Sequence, residues 1–362
     1  MDASESVCTR ASADVESGSA RGGRGPQLGA CGGPPSVAVA TAAALSTVCS
    51  SSSSSSSSSS QQHRAKPPYL ARVCVHASSA AALTIWALVL LIKLPVERGT
   101  FCSDKSIALP YMSGSVSSPS LFVICLVFPA LIMILVELLL AAVRATQETE
   151  KKGREQRVVI LMDRRVPEIM QQLYMYVGGL ALSVASVFLL TNALKAAVGS
   201  LRPHFLSVCK PDWSRVQCTD SSGRREVYVQ DFFCTGNATA VEEGRRSFPS
   251  GHSSCSSCGL LFVALYLQCR FVWQQQATAP KHHLRQQQTR WGLAVEQLYW
   301  VAHAAAPLLQ FVLLLIALYV PATRVAEHFH RPIDVLAGMT IGVIGALYGF
   351  FFLVNPSRRS LQ

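Results

Sequence analysis

SLFVICLVFPALIMILVELLLAAV, residues 120–143, contains one acidic or basic side chain, Glu137, in an otherwise apolar run. At about 1.5 Å of rise per residue, a helix of this length crosses the roughly 30 Å hydrocarbon core of a bilayer. Backbone N–H and C=O groups find no water in lipid, so an unbroken run of this kind must pair them internally, as a helix does. Five more runs have the same character: 72–94, 173–197, 252–270, 300–321 and 333–354. Each is about 19 to 25 residues long, enough to span. The chain therefore reads as an all-α integral membrane protein with six transmembrane helices.

Composition agrees. Of 362 residues, 50% are hydrophobic and 15% charged, the mean hydropathy is +0.30, and soluble domains carry roughly a quarter charged residues. The net charge of +11, from 32 basic and 21 acidic residues, suits nucleic acid, anionic lipid or an anionic substrate. Its distribution decides among them. Arg144, Lys151, Lys152, Arg154, Arg157, Arg164 and Arg165 lie between spans two and three. Lys281, Arg285 and Arg290 lie between spans four and five, and Arg358 and Arg359 follow span six. Six spans place all three segments, and the N-terminal tail, on one side. Basic loops favour the cytoplasm, so both termini are predicted to be cytoplasmic. The charge is largely a topology signal, which removes the case for nucleic acid.

Residues 1–66, rich in Gly, Ser and Ala with an unbroken serine run from Ser50 to Ser60, bury too little apolar surface to offset ordering entropy. They are predicted to be a disordered cytoplasmic tail, followed by a six-span domain over 67–356 and a short tail over 357–362. No ordinary signal peptide opens the chain. The loops 95–119, 198–251 and 322–332 should face outward or into a lumen. The middle one carries the sequon Asn237-Ala238-Thr239, on the side where N-glycosylation takes place. Cys102, Cys209, Cys218 and Cys234 lie in these loops, where an oxidising compartment allows disulfides; their pairing stays open. Cys255 and Cys258 form a C-x-x-C inside an apolar run and read as small buried residues.

Three clusters gather on the outward side. Lys195-Ala-Ala-Val-Gly-Ser-Leu-Arg202-Pro203 ends span three; seven helical residues turn about 700°, so Lys195 and Arg202 share a face if the helix persists. Lys195 then lines a wet site or snorkels to the interface. Ser247-Phe-Pro249-Ser250-Gly251-His252 opens span four. Its start combines a hydroxyl, free N–H groups and the positive helix end, an anion cradle, unless Ser250 is merely an N-cap. Thr323-Arg324-Val-Ala-Glu-His328-Phe-His330-Arg331-Pro332-Ile-Asp334 opens span six, with His330 and Asp334 four residues apart. Phosphoryl transfer needs cations for the oxygens, a nucleophile, an acid for the leaving group and an orienting group. The extracytoplasmic ends of spans three, four and six supply all of these.

At these residues the chain resembles the type 2 phosphatidic acid phosphatase superfamily, with its signature K-x6-R-P, P-S-G-H and S-R-x5-H-x3-D. The one departure is Thr323 in place of Ser, which keeps the hydroxyl. Leu201 to Cys209, Phe262 to Gln268 and Arg98 to Cys102 are similar to the animal, wunen-like lipid phosphate phosphatases. The resemblance covers about residues 70 to 354. It implies His330 as a nucleophile forming a phosphohistidine, Asp334 as its orienting group and His252 as the acid. Lys195, Arg202 and Arg324, helped by Ser250 and Gly251, would hold the phosphoryl oxygens. It implies no metal or other cofactor, a possible homo-oligomer, and membrane lipid phosphates as substrates: phosphatidate, lysophosphatidate, sphingosine 1-phosphate and ceramide 1-phosphate. The expected location is the plasma membrane with an extracellular site, or an internal membrane with a lumenal one.

Other polar residues read as bystanders. His204 rims the site, His328 is the lesser candidate for nucleophile, Glu137 has a structural partner, and His282 and His283 are solvated. Two alternatives remain: a non-catalytic lipid-binding relative, against which the complete set of signature residues argues, and a lipid phosphotransferase, against which Lys195 and Arg202 argue. A six-span channel leaves the P-S-G-H and H-x3-D coincidence without a reason.

Overall fold

The computed structural model describes residues 69–92, 95–148, 159–161, 164–274, 279 and 290–354. The serine-rich segment, the C-terminal tail, His282 and His283, and the basic residues Lys151, Lys152, Arg154, Arg157, Lys281, Arg285, Arg358 and Arg359 lie outside the described residues. In chain order the elements are α1 (Tyr69–Ile92), β1 (Thr100–Phe101), α2 (Ser118–Gln147), the hairpin β2 (Val159–Leu161) and β3 (Arg164–Val166), α3 (Glu168–Val198), α4 (Phe205–Cys209), β4 (Tyr228–Val229), α5 (Ala238–Gly244), α6 (Gly251–Trp273), α7 (Arg290–Ala326) and α8 (Pro332–Val354).

Among the described residues, α2, α3, α6, α7 and α8 are long and apolar enough to cross a membrane. They fall on five of the six predicted runs. The sixth run, 72–94, coincides with α1, whose qualifying apolar part, Ala77–Trp86, is shorter than a span. Serine and threonine interrupt α1, and the Ser78 hydroxyl returns its hydrogen bond to the Val75 carbonyl (3.0 Å).

Helix α6 is the hub. It packs against α8, α7, α3 and α2, and 78% of its apolar stretch is buried, against 17–33% in the other four. Seven consecutive small residues, Ser253 to Gly259, are all buried. Small side chains let helix backbones approach closely where lipid offers no hydrophobic drive for helix pairing. The facing positions of α8 are glycines. A Cβ on Gly338 would stand 2.4 Å from the Ser250 carbonyl oxygen, and one on Gly342 would stand 2.3 Å from that of Ser254. Ser256 donates to the His252 carbonyl (2.7 Å), and Ser254 bonds Thr191 of α3 (2.9 Å).

Helix α2 widens into a π-turn at Val123–Val127, where the Phe128 N–H reaches the Val123 carbonyl. Pro129 is the cause. It has no N–H and its ring displaces the carbonyl four residues back, that of Cys125. That carbonyl approaches α6 at Gly259, where a Cβ would meet it at 2.0 Å. Nearer the other end of the bundle, Glu137 is fully buried and accepts from Tyr266 Oη and Arg270 Nη2, both at 2.9 Å. Its role is structural: it ties α2 to α6.

The loops 95–117, 199–250 and 327–331 knit together at one end. β1 pairs antiparallel with β4. Disulfides join Cys102 to Cys218 and Cys209 to Cys234. A small apolar core of Ile107, Leu201, Phe205, Val216, Val229 and Phe232 underlies them. Cys255 and Cys258 are free and buried.

Candidate active site

The K-x6-R-P segment does not continue as a helix. α3 stops at Val198, and Gly199 takes a left-handed conformation (φ 59°) with its N–H on the Lys195 carbonyl. A side chain there would be strained and would run into the Val96 carbonyl. The shared-face geometry expected for Lys195 and Arg202 is therefore replaced by a turn. Lys195 points to the first turn of α6, its Nζ 3.5 Å from where a Cβ of Gly251 would lie. Arg202 arrives from the following loop, whose N–H is fixed by the Gly244 carbonyl (2.8 Å).

Ser250 caps α6. Its Oγ accepts from the Ser253 N–H (3.4 Å) and the Ser253 hydroxyl (2.9 Å). The capping role thus holds, and it leaves the anion-cradle geometry intact, because first-turn N–H groups of any helix lack intrahelical acceptors. His252, next in the turn, places Nε2 3.1 Å from the Val116 carbonyl. A carbonyl only accepts, so in this arrangement Nε2 carries the proton. Arg324 Nη1 donates to the same carbonyl at 3.4 Å.

Pro332 opens α8, with Asp334 at its third position. The Asp334 Oδ2 accepts from the Arg331 N–H (3.0 Å) and the Ser247 hydroxyl (2.6 Å), while its carbonyl accepts from the Ser250 N–H (3.0 Å). Asp334 thereby binds the turn before α6 to the start of α8. Its Oδ2 is 4.0 Å from His330 Nδ1, farther than a hydrogen bond. His330 is almost fully buried. Burial, then the positive charges of Arg202 and Lys195, hold its imidazole well below the usual histidine pKa, so it is neutral and keeps a lone pair.

Arg202 and Arg324 are both buried. Their guanidinium carbons lie 5.5 and 5.2 Å from the centre of the Phe329 ring. Arg202 donates to Glu243 through Nη2, and Arg324 donates to Glu327 at 2.5 Å. Thr323, at the signature's serine position, accepts from Arg324 Nε (3.1 Å). His204 is buried rather than at a rim, hydrogen-bonded to the His328 carbonyl (2.8 Å) and edge-on to Phe329. His328 has a left-handed φ of 58° and turns its ring to the Pro110 carbonyl (3.1 Å). Asn237 is exposed and caps α5 through Oδ1.

The structure thus brings Lys195, Arg202, His252, Arg324 and His330 into one charged neighbourhood. Sequence reading missed Glu243, Glu327, Ser247, Phe329 and the Val116 carbonyl. Glu327 and Phe329 lie inside the third signature, but the others are distant in sequence from the groups they serve. Among the described residues no three metal-binding side chains come together.

The sequence model of the PAP2 superfamily matches residues 176–358. Phospholipid phosphatase 1 of Rattus norvegicus is 33% identical over 261 residues, covering 72% of this chain and 77% of the relative. Phospholipid phosphatase 2 of Homo sapiens is 30% identical over 288 residues, covering 76% and 82%. A protein of Drosophila melanogaster named putative phosphatidate phosphatase is 32% identical over 263 residues. That match covers 72% of this chain and 62% of the fly protein, less than two thirds of its length. No solved structure matches the chain.

Proposed function

This chain belongs to the PAP2 superfamily of membrane phosphatases, and from that membership we propose that it hydrolyses lipid phosphate monoesters through a phosphohistidine at His330. The observation that carries the reading is the meeting of three cations and two histidines from three separate segments at one end of the bundle. That end also bears both disulfides, which supports an extracytoplasmic site. α1 completes six spans in this reading, with both termini in the cytoplasm and the tail 1–66 outside the catalytic domain. The substrate class is phosphatidate, lysophosphatidate, sphingosine 1-phosphate and ceramide 1-phosphate, and the membrane is the plasma membrane.

Lys195, Arg202 and Arg324, with the first turn of α6 at Ser250 and Gly251, hold the phosphoryl oxygens. Asp334 lies on the Nδ1 side of His330, leaving Nε2 to attack. The N–P bond forms as the bond from phosphorus to the lipid oxygen breaks, and His252, entering the step as the imidazolium, gives that oxygen a proton and is left neutral. Val116, whose carbonyl now faces both His252 and Arg324, marks where a substrate oxygen would sit. Neutral His252 then takes a proton from water, which attacks phosphorus, and phosphate leaves as the N–P bond breaks. Cations do the work a metal would otherwise do, so EDTA should leave turnover intact.

Phosphate release from a panel of lipid phosphates in mixed micelles, with EDTA present, tests this. His330→Ala should lose activity by at least ~10³-fold, as removal of a covalent nucleophile does, while His328→Ala keeps most of it. Near-normal turnover by folded His330→Ala would exclude the assignment. Activity lost in EDTA and restored by magnesium would exclude the metal-free mechanism.

A further inference from the structure

Both arginines proposed to bind phosphate already have an anionic partner. Arg202 donates through Nη2 to Glu243 of α5. Arg324 donates through Nη2 to Glu327 (2.5 Å), whose other oxygen accepts the Ser115 N–H at 2.8 Å. The two guanidinium groups also share the Phe329 ring. A guanidinium offers five N–H donors in a fixed fork, so a carboxylate on one edge holds the plane while other donors remain for a ligand. Arg324 shows this directly: Nη2 is on Glu327, while Nη1 makes only the long 3.4 Å contact to Val116.

A phosphate site gains nothing in affinity from two nearby carboxylates, since they repel the ligand. Lys195, Arg202 and Arg324 carry three positive charges, and Glu243 and Glu327 cancel two. Both carboxyls stay ionised. Partial desolvation pushes the half-exposed Glu243 up, but Arg202, Lys195 and Arg246 outweigh it and hold it below the usual range. Burial likewise raises Glu327, and the hydrogen bonds from Ser115 and the charge of Arg324 outweigh that.

We propose that Glu243 and Glu327 are positioning residues that fix the two arginines by one edge and weaken the site's grip on inorganic phosphate, so that product leaves. This rests on the phosphatase reading above and adds a role for two residues outside the signature's named positions. A purely structural pair makes a different prediction. Glutamine keeps an acceptor of the same length, so loss of alignment would weaken phosphate binding or leave it unchanged, whereas loss of repulsion would tighten it.

The test measures inhibition of lipid phosphate hydrolysis by inorganic phosphate in the wild type, Glu327→Gln and Glu243→Gln. The Glu327 side chain is 13% exposed and that of Glu243 is 52% exposed. A charge removed near the ligand at the effective dielectric of a protein site changes affinity by about tenfold, and screening makes the exposed position weaker. Glu327→Gln should lower the phosphate inhibition constant about tenfold, with kcat and KM falling together. Glu243→Gln should lower it by a smaller factor that shrinks further in high salt. An unchanged or raised inhibition constant in both folded variants overturns the proposal. Should one variant fail to fold, the other decides alone. A wild type that releases no phosphate from any lipid phosphate overturns the underlying phosphatase reading instead, so the two failures are distinguishable.

Discussion

A histidine that attacks phosphorus needs a lone pair, and a histidine surrounded by cations finds it costly to take a proton. His330 is in that position: burial comes first, then Arg202, Lys195 and His252. The consequence is a stability effect with a definite sign. The folded-state pKa lies below the unfolded value of about 6.5, so the unfolded chain binds the extra proton first. Stability is fully present above about pH 6.5 and falls by up to about 1.4 kcal/mol for each pH unit below it, until the folded site itself protonates. Thermal unfolding in detergent should show a larger loss between pH 8 and pH 5.5 for the wild type than for His330→Gln. Equal losses would mean the imidazole is protonated in the fold. At this scale signature spacing singles out residues without coordinates, and Lys195, Arg202, His252, Arg324 and His330 do lie near one another. It was silent on Ser247 and Glu243, whose partners Asp334 and Arg202 lie 87 and 41 residues away. The spacing of four between His330 and Asp334 allows a hydrogen bond without enforcing one, and the two side chains stand 4.0 Å apart.

Helices were legible because lipid demands long apolar runs, and five of the six runs returned as helices that qualify as spans. Their ends were less legible. The Lys195–Arg202 spacing suits a helix, but Gly199 ends it first, and a left-handed stop depends on the Val96 carbonyl packed against it. Packing between helices was not read at all, although its agents are visible afterwards: glycines on α8 against serines on α6. Gly342→Leu tests that seam. The added side chain would collide with the Ser254 carbonyl and Ser257 Cβ, at 2.3 and 2.9 Å from its own Cβ. Overpacking of this kind costs about 1–3 kcal/mol or more, so the apparent unfolding temperature should drop by several degrees. A variant as stable as the wild type would show that α6 and α8 are not in such close contact.

The loops 95–117, 199–250 and 327–331 form a capping layer with its own small core, two disulfides and a two-stranded ribbon. Four loop cysteines admit three pairings, and only the relative placement of β1, α4 and β4 selects one. Long-range hydrogen bonds tie the layer together: Ser103 bonds Glu226 across 123 residues, and Ser115 bonds Glu327 across 212. Orientation follows if this layer is extracytoplasmic. Asn237 is exposed there, with Oδ1 spent on its helix cap. N-glycan removal should increase the gel mobility of the wild type expressed in animal cells. Thr239→Ala, which removes the sequon and keeps the cap, should show no such change. A glycan-free wild type whose N terminus is labelled outside intact cells would invert the topology.

The covalent role of His330 is most directly tested by trapping. Wild-type protein would be mixed with lysophosphatidate carrying labelled phosphate in the presence of EDTA, quenched in alkali to preserve phosphohistidine, and digested. The label should map to the peptide containing His330 and be absent from folded His330→Ala. Label on His328, or sustained turnover by His330→Ala, would contradict the mechanism.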